Sequence, residues 1–368
     1  MVIVNYNGQE FLEPCLRATI PQAAAMGAEV VVVDNGSTDR SIPLIHDCFP
    51  TVRVVENRQN EGFAAGCNIG IRASRGDVIV LLNNDAVPEP GWLAELVAAL
   101  EPDSVAIASS IIHDPRFPEA YALGTATVSV IGHPIPSVLA DASRPFYATG
   151  CSLAFKRAIV GEPFEDRYFA YYEDLLLSWR TRLIGFDVAR ALRSSVQHLG
   201  SATARRDPGL AAYYYERNKL LTLLACYEAW TLWRLLPLYL FDGVARLVDD
   251  CRHLITRPSS GPAELTRLVR RYARIVGGLL WLMGHVRYVA RLRRKIQKKR
   301  TIPDGAITPM LSGKIFDDHS PTTPHRIANL ISMRYCRAVG IVTAEFAEVR
   351  PGGTDTLADR GSLPAPRS

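Results

Sequence analysis

The stretch Val78-Ile-Val-Leu-Leu-Asn-Asn-Asp85 is an apolar run that ends in three polar residues. Gly76 and Asp77 precede it, so the run is bounded by polar residues on both sides. A short apolar run between turns is typical of a strand buried on both faces of a parallel sheet. Because the carboxyl ends of such strands face the ligand crevice in open α/β sheets, the run predicts that Asp85 lies in a binding site.

A second apolar run, residues 29–33, leads into Asp34-Asn-Gly-Ser-Thr-Asp39 and therefore places Asp34 at the end of another buried strand. Shorter strands are predicted at residues 2–6 and 52–55, and helical patterns lie between the strands. Alternating strands and helices imply right-handed crossovers and a mainly parallel sheet. We therefore expect the first hundred residues to form an α/β half-domain of the nucleotide-binding type.

Aromatic residues and acids are concentrated in residues 164–174, beyond this half-domain. Tyr171 and Tyr172 directly precede Glu173 and Asp174, and a helix is predicted over residues 175–183. Acids among aromatic rings indicate the lip of a cleft. Acids at a helix N-terminus also interact favourably with the helix dipole, which is their ordinary structural role. Further along, a strand is predicted near Val188, and residues 196–200 place His198 at the end of another strand.

Helical patterns dominate residues 211–300, and apolar residues and basic residues are unevenly distributed there. Residues 220–240 are strongly apolar and contain Trp230 and Trp233. Residues 265–303 contain twelve Lys or Arg and no Asp or Glu, although the whole chain carries a net charge of only +5. Such a basic segment suits an anionic membrane surface or nucleic acid, and the neighbouring aromatic residues favour the membrane. A solvated basic face is the simpler structural alternative.

The chain length and the cysteines restrict the class of protein. The 368 residues suffice for one large domain with an appendage. Seven cysteines without a Cys-x-x-Cys pair argue against a disulfide framework or a zinc ribbon, so a reducing cytoplasm is expected. The N-terminus has no signal-peptide pattern, and no apolar run reaches the roughly 20 residues that span a bilayer.

Six short motifs together resemble family 2 glycosyltransferases, most closely the bacterial rhamnosyltransferase-like branch. They cover about residues 1–225 and are listed here in chain order: Val2-Ile-Val-Asn-Tyr-Asn-Gly8, Val33-Asp-Asn-Gly-Ser-Thr-Asp39, Asn60-Glu-Gly-Phe-Ala-Ala-Gly66, Leu82-Asn-Asn-Asp85, Tyr172-Glu-Asp174 and His198. Each motif alone is weak evidence. The resemblance implies a GT-A fold, a mainly parallel mixed sheet flanked by helices, and inverting sugar transfer from a nucleoside diphosphate donor.

The resemblance also assigns the residues that bind the donor and a metal ion. Asp85 matches the last acid of the family's metal-binding motif, and His198 matches a further metal ligand, so Mg²⁺ or Mn²⁺ is the expected cofactor. A divalent metal neutralises the leaving diphosphate as a Lewis acid. The other residues assigned to the nucleotide sugar are Tyr6, Asp34, Asn60, Gly62 and Asn84. Because Asn83 and Asn84 replace further acids, the metal site is expected to depend on the donor's phosphates.

A carboxylate must remove the proton of the acceptor hydroxyl as the hydroxyl attacks. The resemblance assigns this base to Asp174, and Glu173 remains the alternative because the sequence does not distinguish two adjacent acids. Leu176 replaces an acid that is common in the family. Asp34 alone would also fit a turn cap, and Tyr213 to Tyr215 with Arg217 and Asn218 fit either the acceptor side or core packing.

These observations lead to one preferred function and one alternative. The preferred function is an inverting transfer of a sugar such as rhamnose, from a dTDP- or UDP-sugar to a glycan or lipid-linked acceptor in surface polysaccharide synthesis. The enzyme would be cytoplasmic and peripheral at the inner face of the membrane, and no nucleic acid partner is expected. The alternative is a GT-A module that binds nucleotide sugar or membrane without turnover. The predicted regions are a GT-A domain over residues 1–225, a basic helical extension over residues 226–302 and a poorly ordered tail over residues 303–368.

Overall fold

A computed structural model describes residues 1–113, 122–123, 127–135, 145–199, 208–256, 261–316 and 322–347. Much of residues 113–145, which the sequence predicts to be a long loop rich in Pro, Gly and His, lies outside these residues. The strands are β1 (Val2–Asn5), β2 (Val31–Asp34), β3 (Arg53–Glu56), β4 (Val78–Asn83), β5 (Ala86–Pro88), β6 (Val105–His113), β7 (Ala122–Leu123), β8 (Thr127–Val128), β9 (Pro134–Ile135), β10 (Ser152–Lys156) and β11 (Asp187–His198).

The helices lie between these strands and beyond β11. They are α1 (Gln9–Ala25), α2 (Ser41–Cys48), α3 (Phe63–Ala73), α4 (Trp92–Ala98), α5 (Arg157–Val160), α6 (Glu173–Leu183), α7 (Pro208–Cys226), α8 (Ala229–Thr256), α9 (Gly261–Gly284), α10 (Val286–Lys299), α11 (Asp304–Ile307), α12 (Thr323–Ala338) and α13 (Ala344–Ala347). None of the helices in the described part of the chain is both long enough and apolar enough to span a bilayer.

One large mixed sheet organises the N-terminal half, in the order β3-β2-β1-β4-β10-β6-β11-β5, with β7 beside β6. The first four of these strands are parallel, as predicted. Strand β10 then runs antiparallel between β4 and β6, and β11 is parallel to β6. The parallel part brings the carboxyl ends of β1, β2 and β4 to the same edge of the sheet.

Both faces of the sheet are covered, which explains the unbroken apolar runs in its central strands. In β2, Val33 belongs to one hydrophobic cluster with Ile71 of α3, whereas Val32 belongs to a second cluster with Leu12 of α1. Successive side chains of a strand point to opposite faces, so a run without polar residues is needed when both faces are buried.

Strand β11 differs from its prediction. The sequence predicted separate strands near Val188 and at residues 196–200, but the structure has one strand from Asp187 to His198. Its pairing with β6 shifts register between Ala191 and Ser195. Such an irregularity interrupts the alternation of buried and exposed residues, so the sequence pattern breaks although the strand continues.

The C-terminal region contains ordered elements where the sequence predicted a poorly ordered tail from residue 303. Leu311, Ile315 and Cys336 are buried. Ser312 donates its backbone N–H to the Val128 carbonyl, 2.9 Å away, and so ties this region to β8. In α12 the buried residues Ala328, Ser332 and Cys336 recur at helical spacing. Leu311 and Ile315 lie outside any helix or strand, so their burial depends on contacts with the rest of the protein. Residues 348–368 of the predicted tail lie outside the described residues.

Candidate active site

Asn5 connects the three strand ends at the carboxyl edge of the parallel strands. Its side-chain Nδ2 donates to Asp34 Oδ1 at 3.1 Å, and its Oδ1 accepts from Asn84 Nδ2 at 2.8 Å. Asn5 ends β1, Asp34 ends β2, and Asn84 follows β4, so one amide group fixes all three relative to each other. Asn5 is not among the site residues predicted from the sequence. The sequence pattern that could have identified Asn5 is a polar residue at the end of an otherwise apolar strand, the same pattern that identified Asp34.

Asp34 is almost completely buried, and both of its carboxylate oxygens accept hydrogen bonds. The second bond comes from the backbone N–H of Ser37, at 2.9 Å, so Asp34 does cap the following turn. A carboxylate offers about four acceptor positions, so the cap leaves capacity for a ligand. Tyr6, next to Asn5, is 40% exposed.

The loop that contains Asn60 and Gly62 is organised by the buried Asn35. Asn35 Nδ2 donates to Asn60 Oδ1 at 3.0 Å and to the Gly62 carbonyl at 3.1 Å. Gly62 has φ = +86°, and a Cβ there would meet the ring and carbonyl of Phe169. Gly62 is therefore required both for the backbone conformation and for the close approach of the segment that precedes the two acids.

Asp85 and His198 form the candidate metal site. His198 Nε2 lies 3.2 Å from Asp85 Oδ1, and the Leu199 N–H donates to the Asp85 carbonyl at 2.8 Å. A carboxylate and an imidazole are suitable ligands for Mn²⁺ and related divalent ions. Within the described residues, no three His, Cys, Asp or Glu side chains are grouped as metal ligands. The pair therefore fits a metal that takes its remaining ligands from donor phosphates and water.

Asp174 lies at the start of α6, beside the strand that leads to Asp85. Its Oδ2 accepts from the Gly150 N–H at 2.9 Å, and its Oδ1 accepts from the Leu175 N–H at 2.7 Å. Gly150 immediately precedes Cys151, whose carbonyl accepts from the Asn83 N–H at 2.9 Å. The backbone thus brings the predicted base next to the end of β4. Burial raises the pKa of Asp174, and the bonds from Gly150 and Leu175 oppose that increase.

Glu173 differs from its neighbour in its hydrogen bonding. Its side chain is buried, and Oε2 has no hydrogen-bond partner. Burial, followed by the negative charge of Asp174, raises the pKa of Glu173 to about 8. The N–H groups of Gly150 and Leu175 stabilise an ionised Asp174, whereas an ionised Glu173 is stabilised only by its own backbone N–H. At neutral pH we therefore expect Glu173 to keep its proton and Asp174 to carry the charge.

Arg217 and Asn218 are buried, and they contact backbone rather than an open cleft. Asn218 Nδ2 lies within hydrogen-bonding distance of the carbonyls of Tyr168, Ala170 and Tyr171. Arg217 and Asn218 therefore fit the core-packing interpretation rather than the acceptor-side interpretation. The sequence did not indicate their connection to the segment that leads to Glu173.

Comparison with known proteins supports the resemblance. Residues 1–160 match the model of the family described as "Glycosyl transferase family 2". Over 317 residues the chain is 25% identical to the N-acetylglucosaminyl-diphospho-decaprenol L-rhamnosyltransferase of Mycobacterium tuberculosis, a match that covers 76% of this chain and 97% of the relative. Three other curated relatives align with this chain over 32%, 37% and 34% of their own length. The predicted resemblance to family 2 glycosyltransferases is confirmed.

Solved structures support the predicted fold. GalNAc-T7 with UDP, GalNAc and Mn²⁺ is 17% identical, with a TM-score of 0.52 over 62% of this chain and 48% of that chain. S. aureus TarS 1–349 in complex with UDP-GlcNAc is 12% identical, with a TM-score of 0.51 over 92% of this chain and 89% of that chain. Both are GT-A glycosyltransferases, and at these identities the likeness concerns the fold alone. The predicted GT-A fold with C-terminal helices is confirmed.

Proposed function

We propose that the protein transfers a sugar from a nucleoside diphosphate donor to an acceptor hydroxyl, with inversion at the anomeric carbon. The match of residues 1–160 to family 2 glycosyltransferases supports this proposal. The observation that carries this proposal is the hydrogen bonding of Asp174. Two backbone N–H groups hold its carboxylate beside the strand end that leads to Asp85. A carboxylate fixed in this way is suited to remove a proton from a hydroxyl.

The donor would bind along the edge formed by β1, β2 and β4. Tyr6 offers an aromatic face for the base, and Asp34 offers acceptor capacity for the ring or ribose. Asn84 and the loop around Asn60 and Gly62 would border the sugar and phosphates. A dTDP- or UDP-linked donor is proposed for this edge.

Asp85 and His198 would hold a divalent ion, Mg²⁺ or Mn²⁺. When bound, this ion would neutralise charge on the leaving diphosphate. The test is Mn²⁺ binding followed by electron paramagnetic resonance, with and without nucleoside diphosphate, in the wild type and Asp85→Asn. Tighter Mn²⁺ binding in the presence of the diphosphate, lost in Asp85→Asn, supports the assignment. Equal binding by both proteins would contradict it.

Asp174 would take the acceptor proton as the hydroxyl oxygen attacks the anomeric carbon and the bond to the diphosphate breaks. Because attack comes from the side opposite the leaving group, the configuration inverts. Glu173 would remain protonated beside it and limit the negative charge of the pair. This division of roles follows from the two N–H donors to Asp174 and the unpartnered Oε2 of Glu173.

The sugar is proposed to be a deoxyhexose such as rhamnose, and the acceptor a lipid-linked glycan for surface polysaccharide. The mycobacterial rhamnosyltransferase, which aligns with 76% of this chain, supports this choice. The test is release of nucleoside diphosphate from a panel of dTDP- and UDP-sugars, with polyprenyl-diphosphate sugars as acceptors and Mg²⁺, Mn²⁺ or chelator. Release that requires metal supports the proposal, whereas no release from any pair would favour the module without turnover.

The helices α8 and α9 support peripheral association with the inner face of the cell membrane. Trp230 and Trp233 are 67% and 68% exposed, and they lie on a helical face that continues through further exposed apolar residues such as Leu240. The positive side chains of α10 follow in the chain, which suits anionic lipid. In vesicle flotation, Trp230→Ser/Trp233→Ser should lose binding to anionic vesicles, and Leu192→Ser, at another exposed leucine, should keep it.

A further inference from the structure

The segment from Tyr168 to Tyr172, which leads directly into Glu173 and Asp174, has an unusual backbone. Phe169, Tyr171 and Tyr172 have φ values of +63°, +69° and +68°, in the region that favours glycine. Each such residue costs on the order of 1 kcal/mol or more, so surrounding contacts must hold the segment in place. Tyr172 is also the residue immediately before α6, and its side chain does not cap that end of the helix.

Asn218 of α7 provides much of this restraint. Its Nδ2 lies 2.9 Å from the Tyr168 carbonyl, 2.9 Å from the Ala170 carbonyl and 2.7 Å from the Tyr171 carbonyl. An amide has two N–H groups, so one of them is shared between two acceptors. Asn218 is completely buried, and no solvent can replace these bonds without an opening of the segment.

Arg217 fixes the orientation of the Asn218 amide. Arg217 Nε and Nη2 donate to Asn218 Oδ1 at 2.9 and 2.8 Å, so the Nδ2 group must face the three carbonyls. The guanidinium is itself held over the rings of Tyr214 and Trp281, at 4.7 and 4.6 Å from their centroids. Arg217 Nη2 also donates to the Tyr168 carbonyl at 3.0 Å, so the guanidinium both orients the Asn218 amide and holds the segment directly.

The same segment is tied to the donor side. The Phe169 carbonyl accepts from the Ala64 N–H at 3.1 Å, at the start of α3, and the Phe169 ring packs against Gly62. The carbonyls of residues 168, 170 and 171 are therefore held by Asn218, and the carbonyl of Phe169 is held by Ala64 of α3. The segment connects the two halves of the candidate site.

We propose that Asn218 is a positioning residue for the Glu173 and Asp174 pair, because it holds the strained segment that sets where α6 begins relative to the donor-side loop. This inference rests on the proposed function, in which Asp174 removes the acceptor proton. Asn218 itself does not touch substrate. Its contribution is the placement of the base, and a misplacement near 1 Å can cost about a hundredfold in rate.

The test uses two variants and a matched control. Asn218→Ala removes the amide, and Asn218→Asp keeps its shape and its contact with Arg217 but replaces the N–H donors by an oxygen. The control is Asn329→Ala, since Asn329 is also buried and its amide makes three backbone bonds, to Ile315 and Phe316 in the C-terminal region. All three variants lose buried hydrogen bonds, but only the first two affect the segment before α6.

Two measurements on the full chain decide the inference. Hydrogen–deuterium exchange should be faster in peptides covering residues 168–176 in both Asn218 variants and unchanged there in Asn329→Ala. The kcat for sugar transfer should fall by about tenfold to a hundredfold in the Asn218 variants, while Kd for nucleoside diphosphate stays within about threefold.

Three results would count against the inference, and they can be told apart. Faster exchange with an unchanged kcat would show that the segment does not place the base. An equal fall in kcat in Asn329→Ala would show that the effect is general destabilisation. Absence of sugar transfer by the wild type would refute the proposed function itself, while the exchange measurement would still report whether Asn218 restrains the segment.

Discussion

Replacing Glu173 by glutamine should remove a pH-dependent penalty to stability. Burial and the neighbouring charge of Asp174 raise the pKa of Glu173 from its ordinary 4.5 to about 8. Below pH 4.5 this carboxyl is protonated in both the folded and the unfolded protein, and it causes no difference. Between pH 4.5 and 8 the unfolded chain releases the proton while the folded protein retains it, so the unfolding free energy falls as the pH rises.

The size of the effect follows from the two pKa values. One pKa unit corresponds to about 1.4 kcal/mol, so the penalty above pH 8 is at most roughly 5 kcal/mol. The glutamine in Glu173→Gln cannot ionise. Its buried amide instead lowers the unfolding free energy by about 1–3 kcal/mol, an amount that is nearly independent of pH. The difference in unfolding free energy between variant and wild type should therefore shift in favour of the variant by several kcal/mol between pH 5 and pH 9.

The assay is urea unfolding at pH 5, 7 and 9 for the wild type, Glu173→Gln and Glu101→Gln, a control at an exposed glutamate. Only Glu173→Gln should change the pH dependence. If wild type and Glu173→Gln lost the same stability between pH 5 and pH 9, Glu173 would not be the buried acid that retains a proton. The assignment of charge to Asp174 would then lose its basis.

Two further predictions concern other parts of the molecule. Lys219→Met should cost about 3–5 kcal/mol in thermal or urea unfolding, because the Lys219 ammonium is buried 2.7 Å from Glu216 Oε2 and its removal leaves an uncompensated acid. The control is Lys295→Met, since Lys295 forms an ion pair of the same length but is 59% exposed, and it should cost no more than about 1 kcal/mol. Equal losses of stability in Lys219→Met and Lys295→Met would contradict the role given to burial. Gly62→Ala should weaken nucleoside diphosphate binding in calorimetry, since the new Cβ would displace Phe169. The control is Gly27→Ala, because Gly27 also has a positive φ of +62° but has open space around it. Gly27→Ala should lose about 1–2 kcal/mol of stability and keep the same Kd for the nucleoside diphosphate. Unchanged binding in Gly62→Ala would show that the loop does not border the donor.

The sheet was predictable because its central strands are buried on both faces. Runs such as residues 78–83 contain no alternation to misread, and the polar residue that follows each run marks its end. The ends of β1, β2 and β4 were therefore identified from local sequence. Strand β11 was read as two strands because its register shift breaks the local pattern while its pairing with β6 continues.

The candidate site was only partly predictable, because its supporting contacts are distant in sequence. Asp174 and Glu173 are adjacent and alike in sequence, and only the N–H donors of Gly150 and Leu175 distinguish them. The Asn218 side chain holds carbonyls about 50 residues earlier in the chain. No local propensity predicts the backbone conformation of those residues. Side chains at such positions have no periodic signal, since their role depends on the fold that brings them together.

The buried charges around Lys219 illustrate the same limit. His133, Asp242 and Lys219 come from a loop and two helices, and His133 Nε2 lies 2.8 Å from Asp242 Oδ2 and 3.2 Å from Lys219 Nζ. Burial, followed by the charge of Lys219, lowers the pKa of His133 to about 4. In the sequence His133 is more than 80 positions from both Lys219 and Asp242, and each of the three resembles an ordinary surface residue.

The most direct test of the central claim compares two neighbouring substitutions in one assay. Acceptor-dependent release of nucleoside diphosphate would be measured at pH 7 with Mn²⁺ for the wild type, Asp174→Asn and Glu173→Gln, with donor affinity measured in parallel. We expect Asp174→Asn to lose a factor of about a hundred or more in kcat with donor affinity kept, and Glu173→Gln to retain most of the turnover. Turnover retained in Asp174→Asn and lost in Glu173→Gln would contradict the assignment of the base.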